Sequence, residues 1–359
     1  MSLDRRQRAR RIAESLLPSG VAQTLIASPF TIRYLTGCDI DAGERLNLIF
    51  LNGDGQMRWL IHSLYSHAAA EGVEQIVYGD GEDALGLAAS LLMPGRVGIE
   101  HALPAGILLA LMQRRPDVVP IDATMSIQRI RMIKDDAELA LLRQSSAGNV
   151  RALERSLKNF DPRMSEMAFS RLLLDQYDQE AMYTQWSPLV GYGPGSAEPH
   201  HRPGKRIIRQ GDAIVIDTGA DYQGYASDMT RTVFFRQASG EQQRVYDVVL
   251  EANLAAIDAV RPGMSLDELD RIARKVIESA GYGPYFTHRL GHGIGVEGHE
   301  FPFLESGDDI MAEKNMCFSI EPGVYLPGKF GVRIEDLVIV TDSGAEVITQ
   351  MDKRLTIIS

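Results

Sequence analysis

The most informative stretch of this chain is Gly211-Asp-Ala-Ile-Val-Ile-Asp-Thr-Gly-Ala-Asp-Tyr-Gln-Gly-Tyr-Ala-Ser-Asp-Met-Thr-Arg-Thr-Val-Phe-Phe235. Two apolar, β-branched runs flank a polar turn that contains glycine, and this pattern predicts a β-hairpin. Asp217 and Asp228 lie nearly equidistant from the turn, so antiparallel pairing is expected to set them side by side on one face. The hairpin is therefore the first half of a candidate metal site.

A second stretch repeats this plan. The runs CFSIEPGVY (317–325) and GVRIEDLVIV (331–340) predict another hairpin, which brings Glu321 and Glu335 together. Between the two hairpins, the segment HRLGHGIGVEGHEFP (288–302) places His292 and His299 in a glycine-rich backbone that can approach a ligand closely. The sequence thus predicts carboxylates and imidazoles from distant segments at one place.

Four carboxylates directed into one core repel each other and lose their hydration. Proteins avoid this cost by protonating the carboxylates or by binding a cation. Oxygen ligands with a single imidazole suit Mn, Co, Zn or Fe, and two carboxylates can bridge two ions about 3.5–4 Å apart. We therefore expect two divalent metal ions, and the sequence leaves their identity open.

These segments resemble the pita-bread metallopeptidases, and within them the prolidase and Xaa-Pro aminopeptidase branch. The matching stretches are VIDTGADYQGYASDMTRT, HRLGHGIGVEGHE, SIEPGVYLPG and GVRIEDLVIV, with fainter matches at YLTG (34–37) and IRMIKDDAEL (130–139). The resemblance implies an α/β (α+β) chain of two domains. A creatinase/prolidase-like domain over residues 1–128 would shape the cleft and support a dimer, and a pita-bread catalytic domain with pseudo-twofold symmetry would cover residues 129–359.

The resemblance also implies the metal ligands. Asp217 is expected to bind one ion, His292 and Glu321 the other, and Asp228 and Glu335 are expected to bridge the two. A water or hydroxide between the ions would be the nucleophile. Glu321 would take its proton and pass it toward the leaving amine.

Further residues match positions that contact the substrate in this family. His200 and His299 match the histidines that stabilise the developing oxyanion. His201 is an additional histidine where the family usually has glycine, so either member of the pair is a candidate for the inward position. His288 and Arg333 lie beside the ligands, where they would orient those ligands or form structural pairs, and Arg333 is also a candidate substrate contact.

The substrate is less well defined by sequence. Several prolidases carry an arginine after the second histidine motif, which receives the carboxylate of a dipeptide, whereas this chain has His299-Glu-Phe-Pro-Phe303. Either another cation replaces it, with Arg45 of the polar loop 36–45 as the candidate, or longer peptides are accepted. We expect an exopeptidase that cleaves the bond before proline in dipeptides or short peptides. The alternatives are an Xaa-Pro or methionine-type aminopeptidase, a non-peptide amidohydrolase or lyase, and a metal-free binding protein.

Composition limits the remaining possibilities. The chain has 359 residues, of which 45% are hydrophobic, and its length favours two domains. Two cysteines provide no disulfide framework, which favours a cytoplasmic location, and the net charge of −11 argues against a nucleic-acid partner. No apolar run reaches the roughly 18 residues of a membrane span. The glycines at 293, 295 and 298 satisfy a dinucleotide fingerprint, but Pro302 follows too closely for the helix that such a site needs.

Local patterns predict further elements. Short apolar runs alternate with helical periodicity in the first third, and one of these predicted helices covers residues 66–71. Asp135 or Asp136 is expected to cap a helix that opens the second domain. A later helix over residues 265–280 is expected to begin with a capping box formed by Ser265 and Glu268.

Overall fold

The computed structural model of the chain describes residues 4–184, 186–307 and 309–359. These residues fall into two units, Met1–Arg131 and Met132–Ser359. The expectation that residues 1–128 shape the cleft and support a dimer stays a prediction.

The first unit is built around a six-stranded mixed sheet. Its elements are α1 (Arg5–Leu16), β1 (Gln23–Ile26), α2 (Pro29–Thr36), β2 (Leu48–Asn52), β3 (Met57–His62), β4 (Val73–Tyr78), α3 (Ala84–Leu91), β5 (Gly95–Ile99), α4 (Ala105–Arg114), β6 (Val118–Asp122) and α5 (Thr124–Met132). The strand order is β4-β3-β2-β1-β5-β6, and β1 pairs antiparallel with β2 and parallel with β5.

In the residues that the structure describes, the second unit contains two larger, mainly antiparallel sheets, two two-stranded sheets and four long helices. Its elements are α6 (Asp136–Lys158), α7 (Glu166–Gln179), β7 (Leu189–Tyr192), β8 (Ala213–Thr218), β9 (Asp221–Tyr222), β10 (Tyr225–Ala226), β11 (Met229–Phe235), α8 (Gly240–Ala259), α9 (Leu266–Ser279), β12 (Gly291–Gly293), β13 (Glu300–Leu304), β14 (Cys317–Ile320), β15 (Gly323–Leu326), β16 (Phe330–Arg333), β17 (Asp336–Val340), β18 (Ala345–Val347) and β19 (Thr356–Ile358). The two larger sheets have the orders β19-β11-β8-β7 and β13-β12-β14-β17-β18.

The second unit repeats one arrangement twice. In the first half, residues of α6 and α7 share a buried apolar cluster with residues of β7, β8 and β11. In the second half, α8 and α9 share a larger cluster with β14 and β17. Each helix pair covers one face of its sheet, and burial of that face supplies most of the stability of such a layered unit. This repeated order is compatible with the pseudo-twofold symmetry expected for residues 129–359, which stays a prediction.

Helix ends test several local predictions. Asp135 caps α6, and with Glu138 it forms a capping box in which each side chain bonds the other residue's amide. The capping box predicted for α9 is wrong. Ser265 is the N-cap residue of that helix, but its side chain accepts no hydrogen bond from an amide of the first turn. The helix predicted over residues 66–71 is also wrong. A 3₁₀ turn, Ser63–Tyr65, ends just before it, and the small residues that follow form no regular element. In the part of the chain that the structure describes, no helix is long and apolar enough to cross a bilayer.

Candidate metal centre and active site

The first pair of carboxylates lies where β8 ends and β11 begins. Asp217 pairs in the antiparallel ladder with Thr230, and Asp228 directly precedes β11. The two aspartates are therefore diagonal neighbours on one face of the ladder, and they lie side by side as predicted. They are not directly opposed because Tyr222 pairs with Tyr225, which centres the turn between Gln223 and Gly224, and Asp217 lies two residues farther from that centre than Asp228.

The second pair lies at the matching end of the other sheet. The ladder between β14 and β17 ends with Ile320 opposite Asp336, so Glu321 and Glu335 are the next residues beyond it. The amide of Glu321 donates to the carbonyl oxygen of Leu290 at 2.8 Å. The amide of Glu335 donates to the carbonyl oxygen of Thr230 at 3.1 Å. Backbone bonds thus hold both glutamates next to neighbouring strands.

His292 enters from β12 between two glycines. A Cβ atom on Gly291 would lie 2.0 Å from the carbonyl oxygen of Ser319, and one on Gly293 would lie 2.5 Å from that of Phe301, so only glycine permits this approach. The Nδ1 atom of His292 donates to the carbonyl oxygen of Gly293 at 3.0 Å. This bond leaves the Nε2 lone pair free to bind a metal, with Glu321 Oε1 at 3.4 Å.

Three overlapping groups of side chains have potential ligand atoms that all lie within 4.8 Å of one another inside each group. Asp228 belongs to the first and third groups, Glu335 to the second and third, and His292 to the first and second. The groups are Asp228, His292 and His299; His292, Glu321 and Glu335; and Asp217, Asp228 and Glu335. The structure therefore brings together all the residues that the sequence nominated as metal ligands.

The electrostatics of these side chains fit a site for cations. Burial, together with the charges of neighbouring carboxylates, holds the pKa values of Asp228 and Glu335 well above the usual range. Burial raises the pKa of Glu321 to about 7. Burial also lowers the pKa of His292 to about 3, so its imidazole is neutral at physiological pH. Asp228 Oδ1 is buried and has no hydrogen-bond partner among the described residues. Divalent ions would relieve this repulsion and desolvation, so the donor set fits them.

Arg333 connects the ligands to the surrounding structure. Its buried guanidinium donates to Asp217 Oδ2 at 2.6 Å, to the Tyr325 hydroxyl at 2.9 Å and to the carbonyl oxygen of Pro199 at 3.2 Å. Its Nε atom donates to Thr230 Oγ1 at 2.9 Å. These bonds orient Asp217, as expected, and direct contact between Arg333 and a substrate stays a prediction.

The histidines around the centre differ in their surroundings. His299 is half-exposed, its ring stacks on that of His292 with centroids 3.7 Å apart, and its Nε2 atom lies 3.8 Å from Asp228 Oδ2. His288 donates from Nδ1 to the carbonyl oxygen of Arg289 and accepts from the Tyr325 hydroxyl, so within the described bonds it contacts no metal ligand. His200 is exposed and lines the cleft, whereas the ring of His201 is held between Glu166 and Glu198.

A cleft of about 590 Å³ contains this centre. It is lined by all of the predicted ligands and by the four histidines at 200, 201, 288 and 299. The lining residues that the sequence reasoning did not single out include Arg289 and Trp186. The guanidinium of Arg289 lies 3.9 Å from the centroid of the Phe303 ring, and among the described residues it forms no ion pair. Arg289 directly follows His288 in the histidine motif, and this position could have marked it as a candidate site residue.

Arg45, the predicted cation for the substrate carboxylate, belongs to the first unit. Its guanidinium pairs with Glu44 at 2.9 Å and with Asp80 at 3.3 Å. These partners are exposed carboxylates, and such surface pairs are weak. A role for Arg45 in substrate binding stays a prediction.

Comparisons with known proteins agree with this architecture. The sequence pattern of metallopeptidase family M24 matches residues 140–342, and that of the creatinase/prolidase N-terminal domain matches residues 5–133. The chain is 34% identical to the probable dipeptidase PepE of Mycobacterium tuberculosis, over 98% of this chain and 96% of that protein. It is also 34% identical to an Xaa-Pro dipeptidase of Lactobacillus delbrueckii subsp. lactis, over 96% of each. The crystal structure of a prolidase from Thermococcus sibiricus is also similar, with a TM-score of 0.94 and 31% identity. The alignment covers 100% of this chain and 100% of that chain.

Proposed function

Because the chain belongs to metallopeptidase family M24, with a creatinase/prolidase amino-terminal domain, we propose that it hydrolyses the Xaa-Pro bond of dipeptides and short peptides with two divalent metal ions. Membership confirms the resemblance seen in the sequence and makes the protein a metal-dependent peptidase. The main support for the proposal is that carboxylates and a neutral imidazole lie together in one cleft. The relatives of this chain include Xaa-Pro dipeptidases, which favours the same activity.

The five predicted ligands would hold the ions. Asp217 belongs to one group of potential ligands, His292 and Glu321 belong to another, and Asp228 and Glu335 connect the groups, which supports bridging roles for these two. Bound divalent ions would polarise the scissile carbonyl group and lower the pKa of a water molecule. We expect Mn or Co most, with Zn or Fe as alternatives.

The side chains around the ions have separate tasks. Glu321 takes the proton of the attacking water and delivers it to the leaving proline nitrogen, and the hydroxyl of Ser319 orients it by donating to Oε1 at 3.1 Å. His200, exposed on its loop, and His299, beside Asp228, donate hydrogen bonds to the carbonyl oxygen as it becomes negative. Arg333 keeps Asp217 in its orientation throughout.

Arg289 supports a preference for dipeptides. Phe303 stands where several prolidases carry an arginine, but the guanidinium of Arg289 lies over the ring of Phe303 and lines the cleft. A planar guanidinium binds a carboxylate through two parallel hydrogen bonds, which a free dipeptide terminus offers. We therefore assign recognition of the substrate carboxylate to Arg289, in preference to Arg45.

The second candidate function is an Xaa-Pro or methionine-type aminopeptidase that acts on longer peptides. It is favoured by Phe303, because the carboxylate-binding arginine of several prolidases is absent from that position. A non-peptide amidohydrolase or lyase on the same scaffold is the remaining alternative. A homodimer and a cytoplasmic location also belong to the proposal and stay untested.

The test combines metal analysis with a substrate panel. Protein purified without chelator should contain close to two divalent ions per chain. The Mn and Co forms should cleave Gly-Pro and other Xaa-Pro dipeptides faster than Xaa-Pro tripeptides, and should leave Met-led peptides without proline intact. Dialysis against a chelator should abolish turnover, and added Mn or Co should restore it. Turnover of another amide with no cleavage before proline would refute the proposed substrate.

A further inference from the structure

His200 depends on its neighbours for its position. Its ring is exposed and makes no hydrogen bond to any other described residue, so the backbone on either side must place it. On one side, the carbonyl oxygen of Pro199 accepts from Arg333 at 3.2 Å. On the other side, the ring of His201 lies between two carboxylates, with Nε2 3.0 Å from Glu166 and Nδ1 3.1 Å from Glu198.

Glu166 is the fixed end of this second anchor. It is the first residue of α7, and its side chain is buried. Its Oε1 atom accepts from the amide of Tyr192 at 2.8 Å, and its Oε2 atom accepts from the amide of Gly204 at 2.8 Å as well as from His201. One carboxylate therefore ties the start and the end of the loop that carries His200.

The loop and the helix also share a backbone ladder. The amide of Glu166 donates to the carbonyl oxygen of Arg206 at 3.1 Å, and that of Met167 to Gly204 at 3.0 Å. The His201 ring packs closely against Gly195, where an added Cβ would lie 3.0 Å from its Cε1 atom. The segment is thus a built structure in which His201 fills a defined position.

We propose that His201, by bridging Glu166 and Glu198, is a positioning residue that fixes His200 at the cleft. This inference rests on the proposed function, because His200 is the residue expected to contact the substrate. It also explains why this chain tolerates a second histidine beside the first. His201 lines the cleft and also a second cavity of about 390 Å³.

The bridge needs both ring nitrogens as donors, which requires the charged imidazolium. Burial alone would lower the pKa of His201, but hydrogen bonds to Glu166 and Glu198 raise it above its usual value. The other charged group that lines the second cavity is Arg206, whose guanidinium is paired with Asp212 at 3.0 Å. The two carboxylates therefore favour the form of His201 that completes the bridge, and the bridge loses one hydrogen bond when His201 deprotonates.

Two amide substitutions separate the two halves of the bridge. In His201→Gln, the side-chain NH₂ takes the place of Nε2 and can still donate to Glu166. In His201→Asn, it takes the place of Nδ1 and can reach only Glu198. Both substitutions remove the titrating ring. Glu198→Gln is the matched control, because Glu198 is an exposed partner and its amide oxygen can still accept from His201.

The expected results follow from this geometry. His201→Asn should lower kcat at least roughly tenfold with a smaller change in KM, because a displaced catalytic group acts mainly on the transition state. His201→Gln should keep most of the wild-type kcat, and Glu198→Gln should change it less than about twofold. The alkaline fall in kcat/KM that comes from His201 should be absent from both His201 variants. Equal kcat in wild type and His201→Asn, or equal losses in the Asn and Gln variants, would overturn the proposal.

Two further measurements keep this test separate from the proposed function. Metal affinity, measured by calorimetric titration of the metal-free protein, should be unchanged in both His201 variants. A loss of metal affinity that parallels the loss of kcat would overturn a role that acts only through His200. If Xaa-Pro peptides are not cleaved, the kinetics are measured on whichever peptide the wild type turns over. If no peptide is cleaved, the proposed function fails, and the positioning role of His201 is then tested by NMR of the His200 ring. One sharp resonance in wild type that broadens in His201→Asn supports the proposal, and identical spectra overturn it.

Discussion

Thr230 and Glu335 are joined twice, once through their backbones and once through their side chains. The carbonyl oxygen of Thr230 accepts from the amide of Glu335 at 3.1 Å, and its hydroxyl donates to Glu335 Oε2 at 2.7 Å. Thr230 is also the ladder partner of Asp217. One buried threonine therefore connects a carboxylate of the first hairpin to a carboxylate of the second, and the relative placement of the two depends on it.

Replacing Thr230 with valine should weaken both the fold and the metal centre. The substitution leaves Glu335 Oε2 and Arg333 Nε without their buried partner, which costs about 1–3 kcal/mol of unfolding free energy. Metal affinity should fall as well, because Glu335 loses its orientation. Urea unfolding and calorimetric metal titration measure the two effects. Thr230→Ser, which keeps the hydroxyl, should resemble the wild type in both, and equal losses in the two variants would contradict this assignment.

Asp228→Asn should stabilise the metal-free protein and inactivate the loaded one. The raised pKa of Asp228 shows that its buried environment disfavours the charge, and the neutral amide of equal size removes that cost. The same charge is needed to hold cations, so activity should fall by roughly 10³-fold or more. Thermal unfolding of the metal-free forms and kcat/KM of the loaded forms give the comparison. A metal-free variant that unfolds at a lower temperature than the wild type would count against the electrostatic argument.

Metal-free protein should lose stability as pH rises from about 4.5 to 7. The pKa of Glu321 is raised to about 7 by burial, and those of Asp228 and Glu335 are raised in the same direction. A carboxyl group whose pKa is higher in the folded state binds more protons there than in the unfolded chain, so the folded state is penalised as these protons dissociate. Thermal unfolding across this pH range tests the sign.

The loaded protein should show the opposite trend, because its ligands must be deprotonated to bind cations. Its activity and its unfolding temperature should both fall when the pH is lowered toward 4. Parallel pH profiles for the metal-free and loaded forms would contradict a site that is organised around cations.

Arg289→Gln should weaken binding of dipeptides that have a free carboxylate. Loss of a guanidinium–carboxylate pair in a cleft typically costs about 1.5–3 kcal/mol, or roughly a 10- to 100-fold rise in KM. Carboxy-terminally amidated dipeptides should be affected far less, because they offer no carboxylate. Arg45→Ala is the parallel variant that tests the earlier candidate. A selective effect of Arg45→Ala, with none from Arg289→Gln, would return the assignment to Arg45.

The hairpins and the histidine motif could be predicted because each depends on local pattern. Alternating β-branched residues, a glycine-containing turn and the order of acidic residues are all readable along the chain. Asp217 and Asp228 lie side by side as predicted, but they are diagonal neighbours, because the turn is centred between Gln223 and Gly224 and not midway between the two aspartates. Arg289 was missed entirely. Its relation to Phe303 depends on two strands approaching in space, which spacing alone does not express.

From the sequence alone it was possible to nominate the candidate metal ligands, because carboxylates and a histidine among apolar, glycine-rich strands have few other physical explanations. How these side chains are held is visible only in the folded chain: Thr230 lies beside both Asp217 and Glu335, Arg333 bonds Asp217, and His201 lies between Glu166 and Glu198. The reason is that hydrogen-bond partners are selected by distance in three dimensions. Residues more than a hundred positions apart become neighbours only when the two sheets pack their matching ends together.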